Sequence, residues 1–155
     1  MPSKNDKPNE NEIKSLLSFY QKKQFVEAEK LALSLSSRYP NHSYAWKIFA
    51  AVLEQTNRIA EAVEINQKVI FLSGSDPEAH LSLGNCYNKL GKLDEAELSY
   101  KNALSLKSNY IQALNNLAII LNKSNKYEES VFYYRKIIEL QPDFAQAYYN
   151  ISLNL

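Results

Sequence analysis

Apolar side chains return along this chain at a helical rhythm, and the rhythm itself repeats every 34 residues. Ser43, Pro77, Ile111 and Ala145 can be taken as the first positions of successive units. The fourth position then reads Trp46, His80, Leu114, Tyr148, and the seventh Phe49, Leu83, Leu117, Ile151. The eighth is small throughout, with Ala50, Gly84, Ala118 and Ser152, and the eleventh reads Leu53, Tyr87, Leu121, Leu155. Spacings of three and four residues place these side chains on one face of a helix. A second apolar face follows at positions 17, 20, 24, 27 and 28. Position 17 holds Ile59, Leu93 and Tyr127, and position 20 holds Ala62, Ala96 and Ser130. Short polar breaks such as Leu90-Gly91-Lys92 and Ser124-Asn125-Lys126 divide the two faces. One unit back, Asn9 is first, Phe25 stands at 17, Ala28 at 20 and Pro40 at 32, and Pro142 repeats that last position.

The pattern predicts helices over 10–22, 25–38, 43–56, 59–72, 77–90, 93–106, 111–124, 127–140 and 145–155. Small residues at positions 8 and 20 let the two helices of a unit approach closely. A bulky side chain there costs about 1–3 kcal/mol of overpacking. Glu27, Glu61, Asp94, Glu95, Glu128 and Glu129 open the second helices, where they complement the positive helix end. Their pairing is helix-start chemistry and not a catalytic dyad.

The spacing resembles the tetratricopeptide repeat, with its W-x₂-L-G-x₂-Y … A-x₃-F … P signature. His80, Leu83, Gly84, Tyr87, Ala96 and Tyr100 make the best copy, and residues 111–144 follow it well. The unit at 43–76 departs at Asn66 and Gly74, and the unit at 9–42 is weak in its first helix. The resemblance covers Asn9 to Leu155. It implies an all-α fold, a right-handed α-solenoid of antiparallel helix pairs whose first helices line a concave groove. The expected organisation is a disordered N-terminal tail at 1–8, a divergent unit at 9–42, units at 43–76, 77–110 and 111–144, and the first helix of a fifth unit at 145–155. Because Ile151 and Leu155 fall on core positions of that last helix, either a longer natural chain or a second copy is expected against it.

Lys and Arg number 18 against 17 Asp and Glu, in balance along the chain. That argues against a phosphate-backbone binder, which concentrates basic charge on one face. The polar start of the chain lacks the apolar core of a secretory signal, and apolar runs such as Ala118–Leu121 fall far short of the ~20 residues needed to span a bilayer. A cytoplasmic protein is expected, with no membrane or nucleic-acid partner. One cysteine, Cys86, excludes an intrachain disulfide and a Cys-rich zinc site. The three glycines, Gly74, Gly84 and Gly91, form no phosphate loop. His42 and His80 lie too far apart in sequence for a ligand motif, and His80 takes the slot of Trp46 one unit earlier. Tyr87, Tyr100, Tyr127 and Tyr134 fall on motif positions and read as core. No enzyme chemistry, cofactor or metal is expected.

The resemblance instead implies binding in the groove, at first-helix positions 2, 5, 6, 9, 12 and 13. The candidates there are Lys47, Asn85, Asn88, Gln112, Asn115, Asn116, Asn122, Gln146, Tyr149 and Asn150. Side-chain amides dominate, and each offers a donor and an acceptor, as the backbone of an extended peptide does. The family's carboxylate clamp requires cations that are lacking in both possible frames, Lys47, Ala51, Ser82, Gln112, Asn116 and Leu81, Asn85, Asn116, Gln146, Asn150. Asn116 and Asn150 at position 6 resemble part of the asparagine ladder in repeats of O-linked N-acetylglucosamine transferases, whereas Ser82 and Ile48 do not. The expected function is a non-catalytic scaffold for an extended peptide or partner helix. The alternative is the recognition segment of a larger glycosyltransferase-, sulfotransferase- or methyltransferase-like enzyme continuing past Leu155. On the first reading, Asn116→Ala with Asn150→Ala weakens binding and leaves stability nearly unchanged.

Overall fold

The computed structural model describes residues 7–154, and these form nine α-helices with no strand. They are α1 (Glu10–Gln21), α2 (Phe25–Arg38), α3 (Ser43–Gln55), α4 (Ile59–Ser73), α5 (Pro77–Lys89), α6 (Leu93–Leu106), α7 (Ile111–Lys123), α8 (Tyr127–Leu140) and α9 (Ala145–Asn154). Each helix starts where the apolar period predicts, and the C-terminal ends differ from expectation by one residue at most. Of the expected tail, residues 1–6 lie outside the described residues, while Pro8 is buried and Asn9 caps α1. That cap is a capping box: Glu12 N–H donates to Asn9 Oδ1 at 2.9 Å, and Asn9 N–H donates to Glu12 Oε2 at 3.0 Å. The core position expected of Leu155 also lies outside the described residues.

One turn is used four times. Position 15 of each unit has a left-handed backbone, at Lys23 (φ 59°), Asn57 (61°), Gly91 (73°) and Asn125 (60°). The following residue then donates its N–H back to position 11, as Gln24 to Phe19, Arg58 to Leu53, Lys92 to Tyr87 and Lys126 to Leu121, at 2.8–2.9 Å. These bonds satisfy carbonyls that a helix end leaves unpaired. Gly91 meets the left-handed requirement without a Cβ penalty. Lys23 lacks that freedom and carries a local cost of about 1–2 kcal/mol.

The chain divides into two compact units, Met1–Ser75 and Asp76–Leu155. In the first, α2 packs between α1 and α3, and α3 also packs on α4. Its core holds Leu16, Ala28, Ala32, Leu35, Phe49, Ala50, Leu53, Ala62 and Val69. Trp46 donates from Nε1 to the Pro40 carbonyl at 3.1 Å, and Lys68 Nζ lies 3.6 Å from the centre of its ring. Arg58 forms a fork between Glu29 and Glu61, each at 2.7 Å.

In the second unit, α6 packs between α5 and α7, and α8 between α7 and α9. One cluster centres on Tyr100, Leu117, Ile120 and Leu121, and a second on Leu114, Ala118, Tyr134 and Ile137. Tyr100 and Tyr134 are completely buried. A Cβ at Gly84 would lie 2.5 Å from Cε1 of Tyr100, so glycine is what admits that ring. The first helices also bury a face the apolar rhythm understates: Ala79, Ala113 and Ala147 at position 3, and Cys86 and Ile120 at position 10. Helix α7 needs both faces because it has a second helix on either side. Tyr127 departs from its expected place in the core. It is 48 % exposed as the first residue of α8, and its hydroxyl donates to Asn125 Oδ1 at 2.7 Å.

Candidate functional site

Nine of the ten candidate groove residues lie on α5, α7 and α9 of the second unit. Lys47 lies apart from them in sequence, on α3 of the first unit. The nine fall on first-helix faces because positions 2, 5, 6, 9 and 12 share a side away from positions 4, 8 and 11.

The amides there are organised by the motif tyrosines. Tyr100 donates its hydroxyl to Asn85 Oδ1 at 2.8 Å, and Asn116 Nδ2 donates to the same oxygen at 2.9 Å. Asn150 Nδ2 donates to the Tyr134 hydroxyl at 2.7 Å, and Gln146 Nε2 donates to Asn150 Oδ1 at 3.0 Å. Asn85, Asn116 and Asn150 are half-buried, so each sits between the core and the surface. These bonds fix which way the carboxamides face. The Asn85 NH₂ group and the Asn116 carbonyl make no hydrogen bond among the described residues.

The remaining candidates divide. Asn88 accepts from Lys123 Nζ at 3.0 Å, and Asn122 accepts from Asn154 Nδ2 at 2.7 Å. Gln112 and Tyr149 are exposed. Asn115 is half-buried, and its Oδ1 is buried with no hydrogen-bond partner.

Two consequences were not visible in the sequence. The buried tyrosines are polar anchors as well as core, and Lys123 and Asn154 join the amide set. Sequence interval does not reveal the pairing: Asn116 follows Tyr100 as Asn150 follows Tyr134, yet Tyr100 bonds Asn85 while Tyr134 bonds Asn150. Second, Asn150 serves the fully buried Tyr134, so Asn150→Ala strands a buried hydroxyl and costs stability. The expectation that Asn150 can be removed with little effect on stability is corrected accordingly. Asn116 has no such duty, because the Tyr100 hydroxyl donates to Asn85 and Asn116 donates to that same Asn85 oxygen.

Burial pushes the Tyr134 hydroxyl pKa up, and the Asn150 hydrogen bond offsets only part of that rise. The hydroxyl therefore stays protonated near neutral pH, and carboxamides do not titrate there. The tyrosine hydroxyls and carboxamides of this set offer hydrogen-bond donors and acceptors. His80, outside it, has its pKa lowered by burial, against an opposing pull from Asp76. Among the described residues no group of His, Cys, Asp and Glu could hold a metal ion, and no helix is long and apolar enough to cross a membrane.

Residues 77–110 and 111–144 each match the tetratricopeptide repeat family. No curated protein matches the sequence. Among solved structures, the chain is similar to MamA, with 20 % identity over 92 % of this chain and 78 % of that one, and a TM-score of 0.85. It is similar to YrrB, a TPR protein with an unusual peptide-binding site, with 17 % identity over 97 % and 77 %, and a TM-score of 0.82. It is also similar to PilF of Pseudomonas aeruginosa, with 16 % identity over 94 % and 66 %, and a TM-score of 0.82. At these identities the likeness establishes the fold, an all-α solenoid of helical hairpins.

Proposed function

We propose that this chain, which carries tetratricopeptide repeats, is a non-catalytic interaction scaffold that holds an extended peptide on the α5, α7 and α9 faces of its second unit. The observation that carries the reading is the shared oxygen of Asn85. It accepts from Tyr100 at 2.8 Å and from Asn116 at 2.9 Å, which leaves an amide donor on Asn85 and a carbonyl acceptor on Asn116. A peptide group in extended backbone offers the complementary acceptor and donor. Because buried tyrosines hold the carboxamides in place, less side-chain entropy is lost when a ligand binds. The likeness to YrrB, a TPR protein with an unusual peptide-binding site, supports the same reading.

The test selects peptides from a random library on the immobilised chain and measures their affinity for two variants. Asn116→Ala is expected to weaken binding by about 1–3 kcal/mol with a small effect on the melting temperature. Gln67→Ala on α4 of the first unit is the control and is expected to leave affinity unchanged. Selected peptides that bind Asn116→Ala and the parent equally well would remove the amide face as the site.

A further inference from the structure

The amide face changes character between its two steps. From α5 to α7, position 9 of one helix meets position 6 of the next: Asn116 donates to Asn85 at 2.9 Å, and the Tyr100 hydroxyl donates to the same oxygen. From α7 to α9, the residue at position 9 is Ile119, whose side chain offers no acceptor. Tyr134, the counterpart of Tyr100, turns instead to position 6 of the following helix, where Asn150 Nδ2 donates to its hydroxyl at 2.7 Å. The Asn150 oxygen accepts from Gln146 at 3.0 Å. Asn150 is thus committed within the fold, and its neighbours on the face are apolar: Ile119 on α7, and Tyr149 and Leu153 on α9, 60 % and 65 % exposed.

Tyr149 and Leu153 stand four residues apart, on one side of α9. They hold positions 5 and 9. At those positions of α7, Asn115 and Ile119 keep an open surface although α6 and α8 both pack on that helix and α9 follows. By that measure, a second helix packed on α9 would still leave Tyr149 and Leu153 partly open. Among the face positions of α7 and α9 one residue is charged, Lys123, and its Nζ donates to Asn88 Oδ1 at 3.0 Å. A charged ligand side chain set down beside Ile119 and Leu153 would lose water without gaining a partner.

We propose that the α7–α9 step is a specificity subsite of the peptide face, in which Ile119, Tyr149 and Leu153 receive one aliphatic or aromatic side chain of the ligand. This subsite presupposes the peptide reading above: Asn85 and Asn116 hold backbone, which any sequence offers, and the apolar step selects among sequences. Neighbouring helices pack about 8–10 Å apart and extended chain rises about 3.3 Å per residue. The selected side chain therefore stands about three residues from the peptide group held at Asn85 and Asn116.

The probes are peptides selected from a random library on the intact parent chain, each compared with versions carrying Ser or Asp at the enriched position. Selection is expected to enrich Leu, Ile, Phe or Trp at one position, and its replacement by Ser to weaken binding about tenfold or more. Tyr149→Ser with Leu153→Ser is expected to shrink that gap to about threefold or less. Both residues are exposed, and circular dichroism checks that the fold is kept. Ile119→Thr supplies a second variant on the other helix. Asn116→Ala is expected to weaken parent and Ser-bearing peptides alike and to keep the gap. Peptides that need Asn116 but show no apolar preference would overturn the subsite and leave the peptide reading standing. So would a preference untouched both by Tyr149→Ser with Leu153→Ser and by Ile119→Thr. Peptides indifferent to Asn116→Ala would remove both readings. Sedimentation showing that the free chain self-associates through Tyr149 and Leu153 would also overturn the subsite, since a second copy would then be its occupant.

Discussion

Position 24 separates the two units. In the second it holds Tyr100 and Tyr134, both fully buried with their hydroxyls hydrogen-bonded to asparagines of the first helices. In the first it holds Ala32 and Asn66. Asn66 is buried and donates from Nδ2 to Glu54 Oε1 at 3.2 Å. A buried hydroxyl needs a partner, so a tyrosine at that position calls for a polar group on the first-helix face. The second unit answers with amides at Asn85 and Asn150. The first unit has no such need and carries Tyr44, Ile48 and Ala51 at the corresponding face positions. Ion pairs link helices in both units, here Arg58 to Glu29 and Arg38 to Glu12 at 2.7 Å, so they do not mark the difference. One residue choice inside a hairpin thus sets the chemistry that the hairpin shows outside.

Removing the ring is the largest way to break this comparison. Tyr134→Ala is expected to destabilise the chain by about 3–5 kcal/mol in urea unfolding, and a loss under about 1 kcal/mol would deny the ring its central place. Removing only the polar link costs less. Tyr134→Phe and Asn150→Ala are each expected to cost about 1 kcal/mol, the second somewhat more because it strands a buried hydroxyl. The double variant should then cost less than the two separately, since both remove the same bond. Strict additivity in that cycle would mean the bond contributes nothing.

A turn residue sharpens the contrast from the other side. Lys23→Gly is expected to stabilise the first unit by up to about 1 kcal/mol by relieving left-handed strain. The same position in the next hairpin of that unit, Asn57, should gain less, because asparagine tolerates this backbone better. A lowered melting temperature for Lys23→Gly would contradict the turn assignment.

The smallest expected effect concerns Glu97 in the second unit. It bridges Lys101 at 2.6 Å and Lys126 at 2.8 Å. Burial pushes its pKa up, but the hydrogen bonds from the two lysines outweigh that and leave it lowered overall. A lowered carboxylate pKa adds stability above the unfolded value, about 4.3, and that stability is lost as pH falls through the folded value. The gap between parent and Glu97→Gln should therefore be open at neutral pH and close in acid. A gap that stays constant with pH would remove the charge explanation.

The fold was legible because one rhythm fixed nine helices, and positions 8 and 20 named the close contacts. Position 15 was legible only in part: Gly91 reads as a turn, but Lys23 adopts the same backbone without a glycine signal. Tyr127 was misplaced because an apolar position at the first residue of a helix can still face water. Asn85, Asn116 and Asn150 could be placed on a face from spacing alone. Their hydrogen bonds could not, since a side-chain amide has no signature for the hydroxyl it will meet across two helices. The second unit's repeats match the family and the first unit's do not, in keeping with Asn66 and Gly74 at positions where the pattern wants an aromatic and a proline.

The most direct test is a ¹H–¹⁵N spectrum of the side-chain amides during titration with a selected peptide. The Asn85 and Asn116 NH₂ signals are expected to move together and saturate at the same peptide concentration, with those of Asn66 still. Saturation elsewhere in the chain, with Asn85 and Asn116 unmoved, would contradict peptide binding on this face.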